Sequence, residues 1–243
     1  MNRWIFLALA TLPFAAGAVV IRDDVDDARY RIDASVFPAL ADMPGEGHGV
    51  LIAPQWVLTA AHAAPMEGMD ATITIDGKGY GVERVFLHPG YRRMPEALGK
   101  EAMATGSASK IHAFLAASDD IALIRLAAPV SGVPPVALYR GADEVTQVAS
   151  LIGKGATGNV PWGWRPAGRI GLPLEGVLGN GDSGGPLLIS KEGTWQLVGL
   201  GSWITAVPEH ALEAGFYGQV VYNVRVSRYL NWIESIIERD ASR

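Results

Sequence analysis

The chain has 243 residues, 49 % of them apolar, enough to bury one sizeable core or a two-lobed all-β unit. Its net charge of −5, with no basic patch, sets nucleic acid aside as a partner. Cysteine is absent, which excludes disulfides, thiol nucleophiles and thiolate metal sites, so the core must hold the fold unaided.

Arg3 provides a short positive start, residues 4–15 form an apolar run too short to span a bilayer comfortably, and Ala16, Gly17 and Ala18 are small enough for a cleavage site. This predicts a signal peptide over 1–18, a mature chain from 19, and a secreted or periplasmic protein with no membrane attachment after signal removal. Next come Asp23, Asp24, Asp26 and Asp27, read as a solvated surface segment because they lack the spacing and glycine of a calcium loop. No His-Glu-x-x-His stretch occurs, and neither a metal nor any other cofactor is expected.

From residue 37 onward, short apolar or alternating runs recur between Gly, Pro and Asp. They predict strands over 49–53, 56–60, 71–75, 82–87, 121–126, 148–152, 186–189, 195–200 and 219–224, the pattern of an all-β sandwich or barrel. Residues 92–118 read as a long loop with at most a short helix, and 161–179, rich in Gly, Pro and Trp, as a second loop. The step from Leu126 to Val133, through Pro129, is the candidate boundary between two halves. Val226, Tyr229, Leu230, Ile233, Ile236 and Ile237 fall on one face at helical spacing and predict a closing helix over 226–239.

Three stretches carry chemistry. His62 follows Leu58-Thr59-Ala60-Ala61, and an imidazole can accept and return a proton near neutral pH. His48, His88, His112 and His210 sit in turns or polar stretches and read as ordinary residues. Asp120 adjoins the strand Ile121-Ala122-Leu123, where a carboxylate can be buried against the imidazole and fix its tautomer; it is preferred to Asp119 for that reason. Ser183 lies in Gly181-Asp182-Ser183-Gly184-Gly185-Pro186. A hydroxyl is a poor nucleophile and needs a base beside it. Glycine at 181 leaves a backbone N–H facing the substrate oxygen, and with the N–H of Ser183 it forms an expected oxyanion hole.

Together these motifs resemble those of the trypsin/chymotrypsin family of serine endopeptidases, in a cysteine-free, bacterial-type form. The chain order His62, Asp120, Ser183 is that family's order. Residues 50–62 look like its histidine block, His88-Pro89-Gly90-Tyr91 like its outer-strand motif, 198–203 like the strand that binds substrate backbone, and 229–233 like the start of its terminal helix. The likeness runs from about 37 to 237. It implies an all-β fold of two antiparallel six-stranded Greek-key barrels, about 36–128 and 129–225, with the triad in the cleft between them and a C-terminal α-helix. The second barrel is expected to be reduced, because 155–181 is shorter than the family's usual run.

The same likeness implies that Ser202 supports Asp120. It also places Val177, six residues before the nucleophile, at the base of the primary pocket, with Trp203, Ile204 and Val220 around it. That pocket has no carboxylate and would suit small aliphatic side chains before the cut. A protein or peptide substrate follows, while oligomeric state is left open. Residues 92–118, longer than usual, would overhang the acyl side of the cleft. An amino group at Val19 would reach Asp182. Two other classes of protein fit part of this pattern. A non-catalytic binding protein on the same fold would usually lack a triad member, and none is lacking here. An α/β-hydrolase fits Gly-x-Ser-x-Gly, but its acid and histidine follow the serine, whereas here only His210 does, with no aspartate between.

Overall fold

The computed structural model describes residues 20–21, 24–66, 68–144, 147–153, 174, 176–179, 181–205 and 220–242. The expected signal peptide, Val19, Asp23, His210 and most of the loop predicted over 161–179 lie outside them. In chain order the elements are β1 (Val20–Ile21), β2 (Leu40–Asp42), β3 (His48–Ala53), β4 (Trp56–Thr59), β5 (Thr72–Ile75), β6 (Lys78–Leu87), α1 (Glu96–Thr105), α2 (Ser109–Ala116), β7 (Ala122–Leu126), β8 (Ala137–Leu138), β9 (Ser150–Leu151), β10 (Gly176–Val177), β11 (Pro186–Lys191), β12 (Thr194–Ile204), β13 (Val221–Arg225) and α3 (Leu230–Ala241).

Strands β2 to β7 close into an antiparallel barrel in the order β2-β3-β4-β7-β6-β5. In β5, Ile73 and Ile75 point into the core while Thr72 is exposed, the period-2 pattern of a strand with one covered face. Strands β4 and β7 are buried nearly throughout, so both of their faces are covered. The β5–β6 connection is Asp76-Gly77 and the β11–β12 connection is Glu192-Gly193, with positive φ at both residues of each pair. Two-residue turns of this hand match the twist of the strands they join.

The second half is an open sheet in the order β13-β12-β11-β9, with β8 parallel to β12. Among the described residues it does not close. Strand β1 pairs with β10, Val20 opposite Val177 and Ile21 opposite Gly176. One apolar core crosses from barrel to sheet, joining Val50, Leu58, Ile73 and Leu123 to Leu188, Leu197, Leu200, Val224 and Val226. The segment expected to divide the halves lies against the barrel, with Val130 N–H on Pro54 C=O at 2.7 Å and Val136 N–H on Leu51 C=O at 2.9 Å. After a 3₁₀ turn at Val226–Arg228, α3 buries Ile233 and Ile236. Asp240 near its end pairs with Arg125 of β7 at 2.9 Å, so the helix that follows the second sheet is fastened to the first barrel.

One expectation is corrected. Residues 92–118 hold two helices, α1 and α2, where at most one short helix was expected. Neither helix fully buries a residue; α1 has no buried face, and in α2 the half-buried Ile111, Phe114 and Leu115 make a stripe of little more than one turn, too short to mark a second helix in sequence. Local terms support α1: Glu96 pairs with Lys100 one turn on at 2.8 Å, and Gly106 ends the helix in the left-handed region at φ 66°.

Candidate active site

The site forms where three chain segments meet between barrel and sheet. His62 stands on the turn after β4, Asp120 just before β7, and Ser183 on the turn leading into β11. The turn that carries Ser183 is docked onto the barrel. Ser183 C=O accepts from His48 N–H at 2.7 Å, and Gly184 N–H donates to Gly201 C=O of β12 at 2.7 Å. A Cβ at Gly184 would lie 2.2 Å from Thr59 Oγ1 and 2.3 Å from the His48 carbonyl oxygen, so only glycine fits. Gly181, at φ 92°, adopts backbone that a side chain would strain.

The polar geometry is a relay. Asp120 Oδ2 lies 2.7 Å from His62 Nδ1, and His62 Nε2 lies 2.8 Å from Ser183 Oγ. The backbone N–H of His62 donates to Asp120 Oδ1 at 2.9 Å, and the Ser202 hydroxyl donates to Oδ2 at 2.6 Å. An ionised carboxylate only accepts, which places the imidazole proton on Nδ1 and leaves the Nε2 lone pair facing the serine hydroxyl. The Asp120 side chain is 13 % exposed and that of His62 40 %. Burial alone would raise the Asp120 carboxyl. The bonds from the His62 ring, the Ser202 hydroxyl and the His62 N–H outweigh it and hold the carboxyl below the ordinary aspartate range.

Asp119, the neighbour set aside in favour of Asp120, faces elsewhere. It accepts from the Tyr229 hydroxyl at 2.6 Å and lies 3.3 Å from His88 Nδ1. Asp182 is 1 % exposed and its Oδ2 accepts from Gly179 N–H at 2.8 Å. Residues 20–21 run beside the strand that leads toward this loop, but the amino group expected at Val19 lies outside the described residues. The N–H groups of Gly181 and Ser183 donate to no other described residue.

A depression of about 160 Å³ opens beside Ser183, lined by Glu46, Leu178, Gly179, Gly181, Ser202, Trp203 and Ile204. Ser202, Trp203 and Ile204 are in this lining; Val177 and Val220 are not among its described residues. Val177 is the partner of Val20 in β10, and alternation turns the next residue, the buried Leu178, toward the site instead. Val220 is 50 % exposed and bonded to Thr205, because β13 pairs Val221 with Ile204 and Tyr222 with Trp203 across a bulge. Glu46, Leu178 and Gly179 were not foreseen, and the exposed Glu46 puts an acidic residue in the lining of a pocket expected to have no carboxylate. Leu178 had a signal in its place one residue after the expected floor, whereas Glu46, on the β2–β3 turn, had none.

A closed six-stranded antiparallel barrel, an apposed sheet, a terminal helix, and a serine, histidine and aspartate meeting between them define a trypsin-fold protein. The Trypsin family model matches residues 31–161, and the chain belongs to that family of serine proteases. It is 28 % identical to vitamin K-dependent protein C of Mus musculus, an alignment covering 78 % of this chain and 45 % of that protein. The Rattus norvegicus counterpart is 29 % identical, covering 80 % of this chain and 47 % of that one. The Oryctolagus cuniculus counterpart is 49 % identical over a stretch covering 26 % of this chain and 14 % of that protein. The chain thus spans about half the length of the longer-matching relatives. Among the described residues, no helix is long and apolar enough to cross a membrane.

Proposed function

We propose that the protein is an exported serine endopeptidase in which Ser183 is the nucleophile, His62 the general base and acid, and Asp120 the group that orients His62. The observation that carries this reading is the unbroken relay Asp120–His62–Ser183, at 2.7 and 2.8 Å. His62 Nε2 takes the hydroxyl proton as Ser183 Oγ attacks the scissile carbonyl. The tetrahedral oxyanion is met by the N–H groups of Gly181 and Ser183. His62 then returns the proton to the leaving amine, the C–N bond breaks and an acyl-enzyme remains. Water enters, gives its proton to His62 and attacks the ester; the proton returns to Ser183 Oγ as the acid departs. Asp120 stays ionised throughout and stabilises the imidazolium. Electrostatic stabilisation of the oxyanion usually contributes most to such steps.

For substrate, the reading is a protein or peptide with a small aliphatic side chain before the cut. It rests on the size of the depression and on Leu178 and Ile204 in its lining. Secretion or export to the periplasm is part of the same proposal, supported by residues 1–18. The test is a peptide library profiled by mass spectrometry. Cleavage after Ala or Val, lowered on the order of a million-fold in Ser183→Ala, is the expected result. Steady cleavage after Arg would overturn the specificity, and equal turnover by Ser183→Ala would overturn the mechanism.

A further inference from the structure

Residues 92–118 leave the barrel after β6 and return just before Asp120. Their root is fastened. Arg92 N–H donates to Ser118 Oγ at 2.9 Å, the Arg92 guanidinium donates to Ala117 C=O at 2.5 Å, and Asp119 N–H donates to Gly90 C=O at 3.2 Å. The Arg92 guanidinium also lies over the Phe114 ring, 5.5 Å from its centre. Beyond the root, α1 and α2 bury no residue, so no core holds them down. The insertion nevertheless touches the site. The His112 ring of α2 stacks on Trp203, 5.3 Å between ring centres at an angle of 22°. Trp203 in turn stacks on Tyr222 at 3.8 Å and 4°. Trp203 follows Ser202, whose hydroxyl holds Asp120, and lines the depression beside Ser183.

We propose that His112 is a specificity-determining residue, which occupies Trp203 and limits how many substrate residues the cleft accepts ahead of the scissile bond. This rests on the acyl-transfer reading above. With residues 198–203 taken as the strand that binds substrate backbone, as the family likeness implies, a substrate whose side chain before the cut enters the depression lined by residues 202–204 extends past Trp203. A short acyl portion stops before the stack. A longer one must part the His112 and Trp203 rings and lift α2 on its root. The lift is feasible because α2 buries no residue fully. It is not free, because an aromatic pair contributes beyond its buried area. The protein therefore favours substrates whose cleaved bond lies near an amino end, or acyl portions of only a few residues.

The experiment compares two substrates with the same leaving group, one carrying a single N-acetylated alanine ahead of the bond and one carrying four residues ending in alanine. His112→Ala is expected to raise the four-residue to one-residue ratio of kcat/KM about two- to tenfold, the range one aromatic pair spans. His112→Phe, which keeps a stacking ring, should hold the wild-type ratio, as should Met103→Ala on the exposed face of α1. An unchanged or lowered ratio in His112→Ala overturns the proposal. Binding of the four-residue peptide to Ser183→Ala protein, followed by tryptophan fluorescence, reads the same contact without catalysis. There, adding His112→Ala should tighten Kd about two- to tenfold, and no tightening again overturns the proposal. Absence of hydrolysis by wild-type protein counts against the catalytic reading alone, since the binding arm still decides the role of His112.

Discussion

At the residue scale, Asp120 concentrates the most physical information. Three bonds converge on its carboxylate, from the His62 ring, the His62 N–H and the Ser202 hydroxyl, and His62 carries the chain on to Ser183. Folding favours the ionised form, so the folded carboxyl titrates below its unfolded value. The sign follows. Above the unfolded aspartate pKa, near 3.9, the stabilisation is fully present. As pH falls, the unfolded chain binds the proton first, and stability drains until pH has passed through the lower folded pKa. Urea unfolding of wild type and Asp120→Asn from pH 6 to pH 2.5 should therefore show a steeper acid loss in wild type. Parallel curves would mean that the bonds do not bias ionisation. The same substitution should lower kcat about ten-thousand-fold, because an amide no longer selects the Nδ1–H tautomer.

The choice of Asp120 over Asp119 was legible because the residue adjoining an apolar strand is the one that strand buries. The pocket was less legible. Val177 and Leu178 are both apolar and adjacent, and only the pairing of β10 with β1 fixes which one turns toward the site. That pairing involves residues more than 150 positions apart, which no local pattern reports.

At the element scale, strands were readable where one face is covered, as in β5, or where an apolar run sits between turns, as in β4 and β7. The two-residue pieces β8 and β9 carry too little pattern to mark their ends, and β6 begins four residues ahead of the expected 82 because Tyr80 is the one residue among its first four that is not exposed. Of the two helices in 92–118, α1 has no buried face to mark it, and the half-buried Ile111, Phe114 and Leu115 of α2 span little more than one turn. The terminal helix was plain, but its purpose was not. Just ahead of α3, Tyr229 carries a hydroxyl that burial, and then its bond to the Asp119 carboxylate, push well above the usual tyrosine range. It remains a donor at any physiological pH. This bond, with the edge contacts of His88 to Tyr229 and Trp232 at 5.1 Å, ties the helix to the strand end that carries Asp120. Tyr229→Phe should cost about 1–2 kcal/mol and lower Tm by roughly 2–8 °C by calorimetry. An unchanged Tm would show that the bond to Asp119 adds nothing to the packing.

At the scale of the whole molecule, the site belongs to neither half. His62 and Asp120 come from the barrel, Ser183 and Ser202 from the sheet, and a common apolar core with α3 across it holds the two together without a disulfide. The docking of the Ser183 turn, through His48 N–H on Ser183 C=O and the tight fit of Gly184 against Thr59, makes the reach from His62 to Ser183 a consequence of how the halves pack. Sequence could supply the three residues and their order, but not this apposition. It is read most directly by reaction of the folded protein with a fluorophosphonate, followed by peptide mapping. The account predicts one adduct per chain on Ser183, lost in Ser183→Ala and strongly slowed in His62→Ala. A folded, correctly processed protein that takes up no label, or takes it up elsewhere, would contradict the account.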